Sequence, residues 1–239
     1  MENLKKTYLI YGVSQGLGKA IVTHVPDSED LVYGISRSEP HFSRIIKWIK
    51  ADLANPIMAC DEIKSVVQSK RIDVFIYNVG IWEHSAFTED YDFSSISASE
   101  IQTIINTNIT SCIQSIQSIL ENLKKSNNAK VILIGSTWGL DHHNGKEIVF
   151  SATKFALRGI AHALREITRK DRVGISVLNL GYLETEFEIN TATEPVLQNS
   201  VERLIPISDV ISAVKFIIST SRATCVKEIT MPAMQDTNI

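Results

Sequence analysis

The chain has 239 residues, 44% of them hydrophobic, which is long enough to bury a sizeable core, and we expect one domain spanning residues 1–239. Its 24 basic and 27 acidic residues give a formal net charge of −3, so no strong attraction to nucleic acid or to an anionic membrane is expected. The three cysteines stand at unrelated spacings, which predicts no disulfide framework and favours a reducing cytoplasm. The apolar run at residues 8–13 is too short for a signal peptide or a membrane span.

The N-terminal segment combines a short apolar run with a glycine-rich turn. Residues 7–11 predict a buried strand, Gly12, Gly16 and Gly18 follow it, and residues 19–24 are helix-like. This arrangement can hold a pyrophosphate, because glycine lets the backbone approach closely and a helix N-terminus offers free N–H groups. Taken alone, the spacing G-x-x-x-G-x-G is also compatible with a purely structural turn.

A second strand at residues 31–35 ends in Ser36, Arg37 and Ser38. In a dinucleotide-binding fold the end of this strand meets the adenosine ribose, where an acidic residue binds the 2′-hydroxyl of NAD and an arginine accommodates the 2′-phosphate of NADP. The arginine favours NADP(H), with NAD(H) as the alternative. A solvated loop residue is the competing interpretation of Arg37.

The rest of the chain alternates between strand-like and helix-like patterns, and residues 81–96 form a long loop. The predicted strands are 45–50, 72–77, 130–134, 174–178 and 226–231, and the predicted helices are 56–69, 99–123, 149–169 and 208–219. This order predicts an α/β fold: a Rossmann-like, doubly wound parallel β-sheet flanked by helices on both faces. Ligands in such sheets bind beyond the carboxyl ends of the strands. The candidate residues that follow predicted strands, and so should share that edge, are Gly12, Arg37, Asp52, Asn78, Ser136 and Gly181.

These motifs together resemble the short-chain dehydrogenase/reductase family over nearly the full length of the chain. The family's TGxxxGxG motif matches the glycine turn, with Tyr11 in place of threonine, and its NNAG motif is half kept at residues 77–80. Its YxxxK motif matches Phe150 and Lys154. Its PGxxxT motif matches residues 180–185, with Leu180 in place of proline.

The resemblance implies hydride transfer between NAD(P)H and a carbonyl or an alcohol. Ser136 would bind the substrate oxygen, Lys154 would hold the nicotinamide ribose and lower the pKa of a tyrosine at position 150, and Asn108 would support a proton relay. Asn106 is a less favoured alternative to Asn108. The catalytic set is therefore Asn108, Ser136, Phe150 and Lys154, with no catalytic metal. The implied cofactor-binding residues are Gly12, Ser14, Gln15, Gly16, Leu17, Gly18, Ser36, Arg37, Ser38, Asp52, Leu53, Asn78, Gly80, Lys154, Gly181, Leu183 and Thr185.

Phe150 cannot give or take a proton, and loss of a general acid typically lowers a rate by about 10²–10⁴-fold. Three interpretations stand. The chain is an engineered tyrosine-to-phenylalanine variant, or an enzyme that uses His142, His143, Tyr182 or water as donor, or a dinucleotide-binding protein without turnover that serves as a sensor or partner subunit.

Several features near these motifs have two interpretations. The aromatic side chains Trp82, Phe87, Trp138 and Tyr182 either wall a substrate pocket or pack in the core. Acidic residues at 184, 186 and 188 are expected to be solvated. The polar segment 186–206 predicts a small polar substrate such as a sugar or sugar nucleotide. Relatives of this type are usually dimers or tetramers built through the two long helices, so we expect a homodimer or homotetramer.

Overall fold

The computed structural model describes residues 5–185 and 202–238. Seven parallel strands form the main sheet: β1 (Thr7–Tyr11), β2 (Leu31–Ser36), β3 (Lys47–Lys50), β4 (Val74–Tyr77), β5 (Lys130–Ile134), β6 (Gly174–Leu180) and β9 (Glu228–Met231). The short strands β7 (Leu183–Glu184) and β8 (Ile205–Pro206) pair separately. The predicted parallel sheet is confirmed.

The strand order is β3-β2-β1-β4-β5-β6-β9, so the chain winds outward in one direction from β1 and in the other from β4. This reversal between β1 and β4 opens a crevice at the carboxyl ends of the two strands, where doubly wound sheets bind ligands. Because every pair in the sheet is parallel, all strand ends that carry candidate residues lie at the same edge.

Helices cover both faces of the sheet: α1 (Gly16–His24), α2 (Pro56–Val67), α3 (Ala98–Ile105), α4 (Ser111–Lys124), α5 (Ile148–Thr168) and α6 (Ile207–Ser219). The core on one face joins β1 to α2, α4 and α5 through residues such as Tyr11, Ile63 and Leu157. The core on the other face joins Ile10 to α1 and α6. Since both faces are buried, the central strands are apolar at nearly every position rather than at alternate positions.

The sequence predicted one helix over 99–123, and the structure corrects this. A five-residue π-helical segment, Asn106–Thr110, separates α3 from α4. The apolar spacing continues through the segment, so periodicity did not reveal it. Its backbone has a specific partner, because the Tyr77 hydroxyl donates to the Thr107 carbonyl at 2.6 Å. π-Segments of this kind often occur at functional sites.

Other element boundaries differ from the sequence-based ones by a few residues. Strand β3 begins at Lys47, since the Ile45 side chain is 94% exposed and contributes nothing to the core. Helix α1 begins at Gly16 inside the glycine turn, and β9 begins at Glu228. Within residues 5–185 and 202–238, no helix has the length and apolar character needed to cross a membrane.

Candidate active site

Two glycines of the first turn are required by close backbone packing. Gly12 has a φ of +75°, and a Cβ at this position would lie 2.0 Å from the Asn78 carbonyl oxygen. A Cβ on Gly18 would lie 1.9 Å from the carbonyl oxygen of Gly12. These contacts bring the turn after β1 against the end of β4. The predicted cradle is therefore also a tightly packed structural turn.

Gly16 differs, because its surroundings are less crowded among the described residues. Its φ is +52°, and within residues 5–185 and 202–238 a Cβ there would meet only the Thr185 methyl carbon, at 3.8 Å. Gln15, the N-cap of α1, makes no side-chain capping bond, and the first turn carries no acidic residue. The start of α1 thus carries neither a side-chain cap nor an acidic charge, and a helix start of this kind can receive a phosphate group. Ser14 is half-buried beside this cradle, and Leu17 is buried beneath it.

On the adenosine side, the three residues after β2 differ in availability. Ser36 is buried, and its hydroxyl donates to the Ser38 carbonyl at 2.7 Å and accepts from the Trp48 indole N–H at 3.0 Å. Arg37 and Ser38 are exposed. The Ser36 hydroxyl is thus used within the fold, which leaves Arg37 as the cation at this strand end.

Asp52 and Leu53 follow β3. The Asp52 carboxylate accepts hydrogen bonds from the Ala54 backbone N–H at 3.1 Å and the Asn55 side chain at 3.0 Å, which shapes the turn before α2. Leu53 is buried, and its carbonyl accepts from the Ser111 hydroxyl at 2.6 Å. Both residues lie at the predicted edge, and Asp52 remains exposed there.

The residues predicted after β4 and β6 reach the same crevice. Asn78 is half-buried, and its side-chain amide donates to the Gly12 carbonyl at 3.4 Å. The Gly181 N–H donates to Met231 at 3.0 Å, and a Cβ on Gly181 would lie 2.8 Å from the Asp236 carboxylate. Leu183 pairs with Ile205 in the short sheet. Thr185 lies next to the glycine turn, since a Cβ on Gly16 would be 3.8 Å from its methyl carbon.

Lys154 is the central charged group of the site. Its side chain is buried, and its ammonium donates to the Ile134 carbonyl at 3.1 Å. A Cβ on Gly80 would lie 3.0 Å from Nζ, so Lys154 reaches between the ends of β4 and β5. Burial lowers the pKa of Lys154 from its usual 10.5 to about 8. The ammonium also lies 5.3 Å from the centroid of the Phe150 ring.

Ser136 and Phe150 both precede Lys154 in the sequence. Ser136 lies just beyond β5, is 8% exposed, and accepts a hydrogen bond from the Trp138 N–H at 3.2 Å. Phe150 is 6% exposed and stands one helical turn before Lys154 on α5. Its ring carries no hydrogen-bonding group. Lys154 and Phe150 thus lie together on α5, and the Lys154 ammonium bonds the Ile134 carbonyl, two residues before Ser136. The catalytic roles of these positions stay predictions.

Asn108 joins three parts of the site from the π-helical segment. It is buried, its amide donates to the Ile81 carbonyl at 2.8 Å and to the Thr153 hydroxyl at 3.0 Å, and its oxygen accepts from the Ile81 N–H at 2.9 Å. Asn106 instead donates to the Ala54 carbonyl. The Asn108 contacts connect the chain after β4 to α5, and its choice over Asn106 as the catalytic residue stays a prediction.

Two buried carboxylates at the start of α5 were missed by the sequence analysis. Glu83 is 0% exposed and accepts from the backbone N–H groups of Val149 at 2.8 Å and Phe150 at 3.3 Å. Glu147 accepts from the Phe87 N–H at 3.0 Å and the Trp138 indole N–H at 2.6 Å. An acidic residue at a helix start would have been a signal for Glu147, whereas Glu83 lies far away in the sequence.

Aromatic side chains form a connected cluster around Phe150. The Phe87 ring lies edge-to-face with Phe150, Trp138 and Tyr182, at centroid distances of 5.6, 5.5 and 5.9 Å. Trp82 contacts Phe87 at 5.6 Å and Phe150 at 6.0 Å. Trp138 and Phe150 are buried, whereas Trp82, Phe87 and Tyr182 are 52%, 36% and 37% exposed. The cluster is therefore part core and part surface: core packing is confirmed for Trp138 and Phe150, and a substrate-pocket wall stays a prediction for the exposed members.

The alternative proton donors differ in availability. Both ring nitrogens of His143 have partners, since Nδ1 accepts from the Gly145 N–H at 3.1 Å and Nε2 lies 3.0 Å from the Ser151 hydroxyl. His142 is exposed at a φ of +67°. Burial raises the pKa of the Tyr182 phenol, with Glu147 and Asp236 adding to the effect.

The expected solvation of the acidic run was wrong for Glu184, which is buried and whose backbone pairs with Pro206 in the short sheet. Glu186 and Glu188 lie outside the described residues. Within the described ranges, no cluster of three or more His, Cys, Asp or Glu side chains could hold a metal ion.

Comparison with known proteins agrees with this architecture. The chain is 27% identical over 194 residues to the 3-oxoacyl-acyl-carrier-protein reductase FabG of Buchnera aphidicola subsp. Schizaphis graminum, covering 78% of this chain and 77% of that protein. A structure of ElxO, in which a tyrosine is replaced by phenylalanine and NADPH is bound, superimposes with a TM-score of 0.76 at 21% identity, covering 95% and 97% of the two chains. A 4-hydroxyisoleucine dehydrogenase complexed with NADH gives a TM-score of 0.78 at 18% identity, covering 96% and 98%. The family model for short chain dehydrogenases matches residues 6–195, and the chain belongs to this family.

Proposed function

We propose that this protein is an NADP(H)-dependent oxidoreductase that interconverts a carbonyl compound and an alcohol. The observation that carries the proposal is the position of the Lys154 ammonium. It is buried between the ends of β4 and β5, with Ser136 just beyond β5. A buried cation in the crevice of a doubly wound sheet is a group placed to bind polar ligand atoms.

The residues of the cradle divide the binding of the cofactor. The N-terminus of α1, with its open space at Gly16, would receive the pyrophosphate, and Lys154 would hold the nicotinamide ribose. When bound, the dinucleotide supplies or accepts the hydride. Ser136 would donate a hydrogen bond to the substrate oxygen, since its hydroxyl proton is not used by the Trp138 N–H.

Arg37 supports the choice of NADP(H) over NAD(H). It is the exposed cation at the end of β2, where the 2′-phosphate of NADP would lie. The relatives differ in this respect, since the ElxO variant holds NADPH and the 4-hydroxyisoleucine dehydrogenase holds NADH. The ElxO variant also supports the idea that a member of this fold can bind NADPH after a tyrosine-to-phenylalanine change.

Position 150 decides how much activity this chain has. A phenol one helical turn before Lys154 would have its pKa lowered by the ammonium and would act as the acid that protonates the reduced carbonyl. Phe150 has nearly the same shape but no hydroxyl, so the fold and the cradle should remain while the proton transfer is lost.

The test compares NADPH consumption by the chain and by a Phe150→Tyr variant over a panel of aldehydes and ketones. We expect the variant to be faster by about two orders of magnitude or more, as for a regained general acid. A Phe155→Tyr variant is the matched control, because Phe155 is half-buried on the same helix and contacts His143 rather than Lys154. Equal rates in the chain and the Phe150→Tyr variant would instead assign the proton to another donor, of which Tyr182 is the first to test.

A second function, dinucleotide binding without turnover, is supported by the packing of Phe150. Its ring is buried against Trp82 and Phe87, and the Lys154 ammonium faces it. This function predicts tight NADPH binding, no consumption in either form, and a protein partner whose association depends on the cofactor. Absence of NADPH and NADH binding at high micromolar concentration would contradict both functions.

Three broader expectations remain proposals. The polar-substrate prediction rests mainly on residues 186–201, which lie outside the described residues. A homodimer or homotetramer is supported by exposed isoleucines on the two helices expected to pair, Ile113 on α4 and Ile167 on α5. A cytoplasmic location is consistent with the free thiols of Cys60, Cys112 and Cys225.

A further inference from the structure

The aromatic cluster has a surface that the proposed chemistry does not use. We name Trp82, Phe87, Trp138, Phe150 and Tyr182 the aromatic wall. Its buried members adjoin the predicted catalytic set, because Phe150 precedes Lys154 by one helical turn and the backbone N–H of Trp138 donates to the Ser136 hydroxyl oxygen. Its exposed members, Trp82, Phe87 and Tyr182, continue outward from this point. The wall thus runs from the reacting position to the solvent.

One member of the wall, Phe87, combines an unusual backbone conformation with a hydrogen bond to a buried carboxylate. Phe87 has a φ of +65°, which a bulky non-glycine residue rarely adopts. The Glu147 carboxylate fixes it by accepting its N–H, and the same carboxylate accepts the Trp138 indole N–H. Backbone strain of this kind persists where the surroundings over-determine it, and it concentrates at ligand sites.

The charges near the wall restrict what can bind. Glu147 is buried behind Phe87 and Trp138, and the carboxylates of Glu147 and Asp236 act together on the Tyr182 phenol. Among the described residues, the cation–π contact made by the wall is that of Lys154 with Phe150, at its inner end. An anionic group beside Phe87 or Tyr182 would therefore meet the negative charge of Glu147 and Asp236, whereas the cation in contact with the wall lies at its inner end, against Phe150.

We propose that the substrate carries its carbonyl on an uncharged aromatic ring, which packs against Phe87 and Tyr182. This inference rests on the proposed function and names the substrate class for the same site. It differs from the small polar substrate expected from residues 186–206. A ring binds better than an aliphatic group of equal size here, because the rings of the wall prefer edge-to-face or offset contacts with another ring. The expected advantage is about two- to tenfold in affinity.

The test measures binding rather than turnover. The chain is loaded with NADP⁺, so that an added aldehyde forms a complex without being reduced, and each aldehyde is titrated by saturation-transfer NMR. The probes are benzaldehyde, cyclohexanecarbaldehyde, 4-carboxybenzaldehyde and glyceraldehyde. We expect benzaldehyde to bind more tightly than each of the other three, with the anionic 4-carboxybenzaldehyde at least tenfold weaker. Equal or tighter binding of cyclohexanecarbaldehyde or glyceraldehyde overturns the inference, as does binding of none of the four.

A pair of variants locates the ring. Phe87→Leu should reduce benzaldehyde affinity to that of cyclohexanecarbaldehyde, whereas Phe93→Leu should leave both affinities unchanged, because Phe93 is exposed on the same loop and makes no ring contact with the wall among the described residues. If Phe87→Leu fails to fold, Tyr182→Leu replaces it. An unchanged benzaldehyde affinity in the folded variant overturns the inference. Failure of NADP⁺ itself to bind contradicts the proposed function instead, so the two failures are distinguishable.

Discussion

The Lys154 ammonium lies 5.3 Å from the centroid of the Phe150 ring, and both side chains are buried on one face of α5. The ammonium has the Ile134 carbonyl as its hydrogen-bond acceptor at 3.1 Å. One carbonyl and one ring face compensate only part of the hydration that a lysine loses on burial, which is why the pKa of Lys154 falls to about 8. A buried cation therefore lowers the stability of the fold without cofactor.

Replacing Lys154 by methionine should make that effect measurable. Since the pKa is about 8 in the folded state and 10.5 in the unfolded chain, the unfolded state binds more protons between these values, and stability rises with pH across that window. Below pH 8 the full penalty of about 3 kcal/mol is present. The free energy of unfolding is measured by urea unfolding, without cofactor, for the unsubstituted protein and for Lys154→Met. Relative to Lys154→Met, the unsubstituted protein should become more stable by about 2 kcal/mol between about pH 7 and pH 9.5. Lys70→Met, at an exposed position, is the control: the stability difference between it and the unsubstituted protein should not change with pH. If the stability of Lys154→Met and that of the unsubstituted protein change with pH in parallel, the lowered pKa of Lys154 is contradicted.

The buried Glu83 carboxylate should contribute to stability by capping α5. Glu83→Gln leaves an amide with too few acceptors near the N–H groups of Val149 and Phe150, so the free energy of unfolding should fall by about 2 kcal/mol. Denaturant unfolding measures the change. Glu89→Gln, exposed on the same loop, is the control and should remain within about 0.5 kcal/mol of the original chain. A similar small effect for Glu83→Gln would mean that the helix start does not depend on the carboxylate.

Gly16→Ala separates a cofactor cradle from a structural turn. Among the described residues the added methyl meets only Thr185, so the fold should lose about 1 kcal/mol, from the φ of +52°. The methyl projects into the open cradle, so NADPH affinity should fall by about tenfold or more. Isothermal titration calorimetry measures the affinity. Gly159→Ala, where a Cβ meets nothing within 4 Å, should leave NADPH affinity unchanged and stabilise α5 by about 0.5–1 kcal/mol. Unaltered affinity in Gly16→Ala would favour the structural turn.

Arg37→Ala should change cofactor preference. Loss of a charge-assisted hydrogen bond to the 2′-phosphate should weaken NADPH binding by about tenfold or more and leave NADH binding nearly unchanged. Fluorescence titration with each cofactor gives the two affinities. Arg222→Ala removes an exposed arginine distant in sequence and should affect neither. If Arg37→Ala weakens NADPH and NADH equally, or neither, Arg37 is a solvated loop residue.

The parallel sheet, and the edge at which the candidate site lies, could be predicted from the order of apolar segments along the chain. Parallel strands joined by right-handed crossovers place every strand end on one side, so the residues after the predicted strands could be assigned to one crevice before any contact was known. Local patterns also determined that Phe150 and Lys154 share a helix face, since they are one turn apart. These inferences needed only periodicity and order along the chain.

The residues that surround that crevice could not be predicted in this way, because they come from segments far apart in the chain. Glu83 caps a helix whose first residues lie 66 positions away, and Asn108 faces Ile81 because a π-helical segment turns it there. The aromatic wall depends on a loop conformation with Phe87 at positive φ, for which no local pattern in the sequence is a signal. Such contacts arise between segments distant in sequence, and their geometry is set by packing rather than by the propensity of any one segment.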